Sequence, residues 1–205
     1  MKTVLVANPK GGAGKTTLAT NLAGALAAAG QSVALWDLDR QKSSLQWLAV
    51  RGDGAPRIHN LGDRGPTSAG SEEDWLVVDS PAGLHGKTLA HAIKLASRVL
   101  VPVQPSLFDM AATGEFLSTL AAEKKVRGKA NFIGIVGMRV DPRTRAAATL
   151  EAFLHQFELP VLTYLRDTQL YPNAAFNGLS IFDLPDYLAS RETAQWTSLV
   201  QWLAA

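Results

Sequence analysis

The sequence predicts an α/β fold in which a parallel, or mostly parallel, β-sheet carries helices on both faces. Three observations point there. Short apolar runs rich in β-branched residues recur along the chain, as strands buried on both faces require. Stretches with apolar residues at helical spacing lie between them. Several runs end in an acidic or turn residue, and open parallel sheets collect ligands at the carboxyl ends of their strands.

Taken in order, Val4–Ala7 (VLVA) reads as the first strand and is followed by a glycine-rich loop. Leu18, Leu22, Leu26 and Ala29 then recur at helical spacing, with Gly30 where a helix stop belongs. Ser32–Leu38 is the second strand and Ser43–Val50 a short helix. Residues 51–71, dense in Gly, Pro, Ser and Asp, read as loop with a short strand near Ile58. Trp75–Val78 is the next strand, closed by Asp79, and a helix runs through Leu84–Ala96. Strands at Arg98–Val103, Phe132–Met138 and Val161–Leu165 alternate with helices at Met110–Val126 and Arg143–Phe157. From about Pro185 the tail sets Trp196, Leu199, Val200 and Leu203 on one helical face. Right-handed crossovers restrict the ways such units can be wound.

At 205 residues the chain can bury a core and is read as one domain, residues 1–205. Its apolar fraction of 47% and charged fraction of 19% are those of a soluble globular protein. No apolar run is long enough to span a bilayer, and Pro9, Lys10 and a glycine cluster follow the short run Val4–Ala7 where a secretory signal would continue. A cytoplasmic location is expected. The absence of cysteine excludes disulfides, thiolate-held zinc and cysteine-ligated iron–sulfur clusters on this chain. Net charge is only +2 although the pI is about 9.0, so local basic clusters must carry any case for nucleic-acid binding.

Residues 9–17 read Pro-Lys-Gly-Gly-Ala-Gly-Lys-Thr-Thr, a P-loop with Pro9 in place of the ordinary first glycine. Gly11, Gly12 and Gly14 let the backbone approach anionic oxygens, and the amides of Gly11, Gly12, Ala13, Gly14, Lys15, Thr16 and Thr17 face phosphate at a helix N-terminus. Lys15 would contact the β- and γ-phosphates, and the Thr16 hydroxyl would ligate Mg²⁺. A glycine-rich turn with two stray lysines is the bland alternative, and the strand–loop–helix order argues against it. WLVVD, ending at Asp79, is a Walker B pattern whose carboxylate can hold a magnesium-bound water.

Lys10, just before the paired glycines, resembles the signature lysine of the ParA/MinD family, and WDLDRQ resembles that family's D-x-D-P-Q segment with Arg40 at the usual proline. The resemblance covers nearly the whole chain and implies ATP and Mg²⁺ as cofactors. It implies that Lys10 reaches a partner's phosphates across an ATP-dependent homodimer, that Asp39 orients the attacking water directly or near Mg²⁺, and that Asp37 supports the magnesium shell. Two facing phosphate sites repel, and a cation donated in trans offsets that repulsion. Blander readings are a cis or solvated Lys10, and helix capping or a surface ion pair for Asp37 and Asp39. DSPAG, after Walker B, is a variant of the family's D-T-P-P, with Gly83 a candidate hinge and His85 a surface or interface residue.

GMRVDPRT and LRDTQL resemble the family segments that run near the nucleotide base, which carries Met138, Asp141 and Arg166 over as nucleotide contacts. Two basic groups are candidate DNA contacts: Lys124, Lys125, Arg127 and Lys129, and Arg139, Arg143 and Arg145 with Arg166. Solvated helix ends are the alternative. No base-reading module is present in the sequence. The resemblance therefore implies an ATPase that dimerises on ATP, binds DNA nonspecifically over the nucleoid, and positions or segregates a cargo with a partner that stimulates hydrolysis. DSPAGLHGK and GMRVDPRTRAA look most like the small members that position protein cargo, carboxysomes among them. A plasmid or chromosome partition ATPase is the alternative. A membrane-bound switch would need a basic amphipathic tail, and no Lys or Arg follows Arg191. A P-loop ligase-type synthase would need a substrate motif that the chain does not show.

Overall fold

The computed structural model describes residues 1–62, 65, 73–127 and 132–205. Among these, seven strands pair in parallel into one sheet: β1 (Lys2–Val6), β2 (Val33–Asp37), β3 (His59–Asn60), β4 (Trp75–Asp79), β5 (Arg98–Val103), β6 (Ile133–Gly137) and β7 (Val161–Tyr164). Their order is β3-β2-β4-β1-β5-β6-β7, so the chain crosses from one side of the central β1 to the other after β4. That reversal opens a crevice at the carboxyl ends of β1, β4 and β5. The strands are buried because every one but the short edges lies between two helical layers.

One layer holds α3 (Gly86–Leu95), α4 (Leu107–Arg127) and α5 (Arg145–Leu154), packing Leu89, Ile93, Leu117, Leu120 and Leu150 on the sheet. The other holds α1 (Lys15–Ala28), α2 (Ser43–Ala49), α6 (Leu170–Ala175), α7 (Asp186–Ala194) and α8 (Thr197–Ala204), with a 3₁₀ turn at Ile181–Asp183. Its core includes Leu18, Leu22, Trp47, Tyr171, Trp196 and Leu199. The tail face expected from periodicity is buried here: Trp196, Leu199 and Leu203 are all packed inside. The tail is two helices, broken at Gln195–Trp196, and α6 lies before it with Pro172 in its first turn.

The far end of α2 is fixed by a buried ion pair. Arg51 donates both guanidinium nitrogens to Asp183 at 2.8 and 2.9 Å and a further bond to the Gly178 carbonyl at 2.9 Å. Burial pushes the Asp183 carboxyl up, but the bonds from Arg51 and Ser180 outweigh it and hold the group below its ordinary value. Trp47 adds an indole bond to the Leu179 carbonyl. Gly178, at φ 65, leaves no room for a Cβ, which would lie 2.4 Å from the Arg51 nitrogen. These contacts tie α2 to the 178–183 segment.

Candidate nucleotide site

The glycine loop leaves β1 at the crevice and turns into α1. Gly12 (φ 80) and Gly14 (φ 93) take the left-handed conformation that side chains disfavour. A Cβ at Gly11 or Gly12 would meet nothing within 4 Å, so the amides there lie open to an anion. Gly14 immediately precedes α1 and packs on Met138, whose Cε would lie 3.0 Å from an added Cβ.

Asn8, fully buried, anchors the loop. Its amide donates to the Pro102 carbonyl at 2.7 Å and the Thr113 hydroxyl at 2.9 Å, and its carbonyl accepts the Lys10 N–H at 2.8 Å. The Gly83 N–H donates to the Pro9 carbonyl at 2.9 Å, and the Gln104 amide to the Gly12 carbonyl. Only the carbonyl of residue 9 is used, which proline retains, so the departure from glycine leaves these loop bonds in place. Sequence reasoning missed Asn8 and Gln104 because their partners lie about a hundred positions away. His85 is exposed, with its ring against the Gly83 carbonyl, as its surface reading expected.

Lys15 is buried and donates Nζ to the Lys10 carbonyl at 2.8 Å. Burial lowers its pKa against the opposing pull of Asp79 and Asp39, which places both carboxylates in its field. Thr16 donates Oγ to Asp79 at 2.8 Å. Asp79 Oδ1 is buried with no hydrogen-bond partner among the described residues. Magnesium is held by one or two carboxylates together with phosphate oxygens and waters. A hydroxyl, a carboxylate oxygen left unsatisfied and an open amide cradle fit that requirement; among the described residues no cluster of three or more His, Asp or Glu forms a metal cage.

Burial, with the neighbouring Asp37 charge adding to it and Thr16 and Lys15 opposing, pushes Asp79 up to about 7. A carboxyl whose pKa rises on folding makes the folded state bind more protons than the unfolded one. Nucleotide-free stability therefore falls as pH rises from the ordinary carboxyl value of 3.8 to about 7. Asp79→Asn is expected to raise the melting temperature of the nucleotide-free protein at pH 8 by roughly 5 °C and by less at pH 5. Thermal melts at the two pH values check this; an equal gain at both would contradict it.

Asp37 and Asp79 face each other in register at the ends of β2 and β4. The Asp37 carboxylate is fully buried, and its oxygens are taken up by Asp39 and Ser44. These bonds hold the β2–α2 connection beside Asp79. Asp39 is half-exposed and, among the described residues, its carboxylate accepts only the Gln41 N–H, at 2.9 Å. Lys10 is likewise half-exposed, and its ammonium has no partner among the described residues.

A cleft of about 710 Å³ runs from Gly14, Thr16 and Thr17 past Met138, Arg139 and Arg166 to Trp47, Tyr171 and Phe176. Met138 and Arg166 thus stand where nucleotide contacts were expected. Asp141 does not line this cleft. Its carboxylate is bound by Arg143 at 2.9 and 3.0 Å, which holds it down at about 2, and its carbonyl takes the Thr144 hydroxyl just before α5. The sequence could not show that this carboxylate would be taken by a cation two residues on. Arg166 pairs with Glu192 at 2.7 Å, whereas Arg139, at φ 53, and Arg145 are exposed without ion pairs among the described residues. In the other basic group Lys129 and the side chains of Lys124, Lys125 and Arg127 lie outside the described residues.

The strand–loop–helix turn, the Thr16–Asp79 pair and the anion cradle define a P-loop nucleotide hydrolase. Residues 4–181 match the CobQ/CobB/MinD/ParA nucleotide binding domain, and the chain belongs to this family of ATPases, which work on ATP with Mg²⁺. It is similar to the Maintenance of carboxysome distribution protein A of Halothiobacillus neapolitanus, 29% identical over 89% of this chain and 87% of that protein. The protein of the same name from Gloeobacter kilaueensis is 32% identical over 88% of this chain and 83% of its own length. The septum site-determining protein MinD of Pyrococcus horikoshii, solved with Mg-ADP, shares the fold with a TM-score of 0.75 at 18% identity, covering 100% of this chain and 97% of that one.

Proposed function

We propose that this chain is an ATPase switch that closes into a homodimer over ATP, binds DNA without sequence preference on the nucleoid, and spaces a cytoplasmic cargo, carboxysomes, with a partner protein that speeds hydrolysis. The observation that carries this reading is Lys10: an ammonium without a partner among the described residues, at the mouth of the phosphate loop, on a backbone held by Asn8 and Lys15. The cargo is suggested by the two similar carboxysome distribution proteins.

In this reading the loop amides and Lys15 bind and orient the polyphosphate. Lys15 moves from the Lys10 carbonyl to phosphate, so loading exchanges one bond for a charge-assisted one. Thr16 and Asp79 hold the magnesium ion, which supplies charge neutralisation at the phosphate oxygens when bound. Asp39 orients the attacking water, and Gly83, bonded to the loop at Pro9, relays the state of the site to the segment before α3. The apolar face of α8 is spent on the core, which disfavours a membrane-seeking tail.

Arg139 and Arg145, exposed and without ion pairs among the described residues, are the cations best placed for phosphate contacts, while Arg143 and Arg166 are engaged by Asp141 and Glu192. Alanine at Arg139 and Arg145 together is expected to weaken ATP-dependent binding to DNA of any sequence and to lower the salt slope by about 2. Arg143→Ala should change binding less. Fluorescence anisotropy on two unrelated duplexes at several salt concentrations measures both. Loss on one duplex only, or ATP-dependent pelleting with anionic liposomes in place of DNA binding, would sink the reading.

A further inference from the structure

We propose that Ser44 is a positioning residue of the hydrolytic step, holding the Asp37 carboxylate that in turn holds the turn presenting Asp39. This rests on the reading of Asp39 as the residue that orients the attacking water.

Strand β2 ends at Asp37 and α2 begins at Ser43, so Asp39 sits on the short connection between them. The connection is closed by bonds from Lys42 N–H to the Asp39 carbonyl at 3.1 Å and from Gln41 N–H to the Asp39 carboxylate at 2.9 Å. Lys42 completes it at φ 52, a left-handed conformation that non-glycine residues disfavour. A turn of this kind persists when its surroundings over-determine it.

Asp37 supplies that determination. One oxygen accepts the Asp39 N–H at 2.8 Å; the other accepts the Ser44 N–H at 3.0 Å and the Ser44 hydroxyl at 2.7 Å. Helix α2 has no side-chain cap from its own N-cap residue, Lys42, so Asp37 does the capping from the strand. Asp37 and Ser44 are both fully buried, and water does not replace a lost donor there. The Ser44 hydroxyl is the one side-chain donor to the Asp37 carboxylate among the described residues, the other two donors to it being backbone N–H groups, while Lys42 Nζ donates to the Asp37 carbonyl at 2.9 Å. Without the Ser44 hydroxyl the carboxylate loses a bond and turns, and the Asp39 amide loses a fixed acceptor. The turn that carries Asp39 then shifts, while the phosphate loop keeps its anchor on Asn8.

The test reads Asp39 with and without nucleotide. In nucleotide-free Ser44→Ala, hydrogen exchange of the Asp39 amide is expected to speed up about tenfold, while that of Leu35 within β2 stays as in wild type. In ATP hydrolysis the same variant is expected to lose about 10–100-fold in kcat with KM within about twofold, the pattern of a misplaced reacting group. On an Asp39→Ala background it should lower kcat no further. Should Ser44→Ala not fold, Ser44→Cys, similar in volume and a weak donor, takes its place in every measurement. Unchanged exchange at Asp39, or an unchanged kcat with only a lower melting temperature, overturns the proposal. If Asp39→Ala hydrolyses like wild type, the reading of Asp39 fails; if it is slow while Ser44→Ala is normal, Ser44 alone is wrong.

Discussion

Lys10→Ala is expected to abolish ATP-dependent dimerisation and to lower hydrolysis about 10³-fold, while a single chain still binds nucleotide. The structure makes this substitution unusually clean. Among the described residues, the bonds that shape the loop at residue 10 use its backbone and not its side chain: its N–H donates to Asn8 Oδ1, and its carbonyl accepts from Lys15 Nζ. The Pro9 carbonyl beside it is held by Gly83. Truncation therefore removes one ammonium and leaves the anion cradle in place. In the proposed dimer two polyphosphates face each other in a site with little water, where repulsion is large and an opposing cation is worth correspondingly more. Within the single chain Lys15 already supplies a cation, so the monomer's affinity should fall by less than about tenfold. Light scattering with a nonhydrolysable ATP analogue gives the oligomeric state, and equilibrium dialysis gives binding. A variant that dimerises like wild type would remove the trans role from Lys10.

The trans role proposed for Lys10 rests on the resemblance to the ParA/MinD signature lysine, whereas most of the fold was legible in local sequence pattern. Buried parallel strands are continuous apolar runs, so Val4–Ala7, Trp75–Val78 and Arg98–Val103 announce themselves, and the loop between β1 and α1 follows from its glycines. β3 has two residues, too few for a periodicity, and the expected strand near Ile58 is found at His59–Asn60. α6 carries Pro172, which as a breaker hid a helix whose first turn tolerates it. What escaped the sequence are contacts defined by partners far away along the chain or by a neighbour's choice of partner. Asn8 finds Thr113 across 105 positions, Arg51 finds Asp183 across 132, and Asp141 is captured by Arg143. A carboxylate's type and spacing say that it can act; whether its oxygens are free depends on packing.

Among the three carboxylates at the strand ends, a free oxygen that is also open to solvent singles out Asp39, the free oxygen of Asp79 being buried. Asp37 gives both oxygens to Asp39 and Ser44, and Asp79 is bonded to Thr16 and buried. Asp39 alone is half-exposed, with one oxygen bonded to the Gln41 N–H and the other free among the described residues. It lies close enough to Lys15 for their charges to interact, which puts it beside the phosphate end of the cleft. Asp39→Ala is accordingly expected to lower hydrolysis about 10²–10⁴-fold without loss of ATP binding, leaving an ATP-bound dimer trapped on DNA. Its backbone bonds to Lys42 and Asp37 survive the change, so the fold should not suffer. Asp37→Ala is the contrasting case: it uncaps α2 and empties a buried carboxylate site, so it should lower stability first. Phosphate release and the lifetime on DNA, measured for both variants beside their melting temperatures, separate the two roles. Hydrolysis at the wild-type rate in Asp39→Ala would pass the water-orienting role to another group. Rapid release from DNA despite slow hydrolysis would show that the DNA-bound state does not depend on intact ATP.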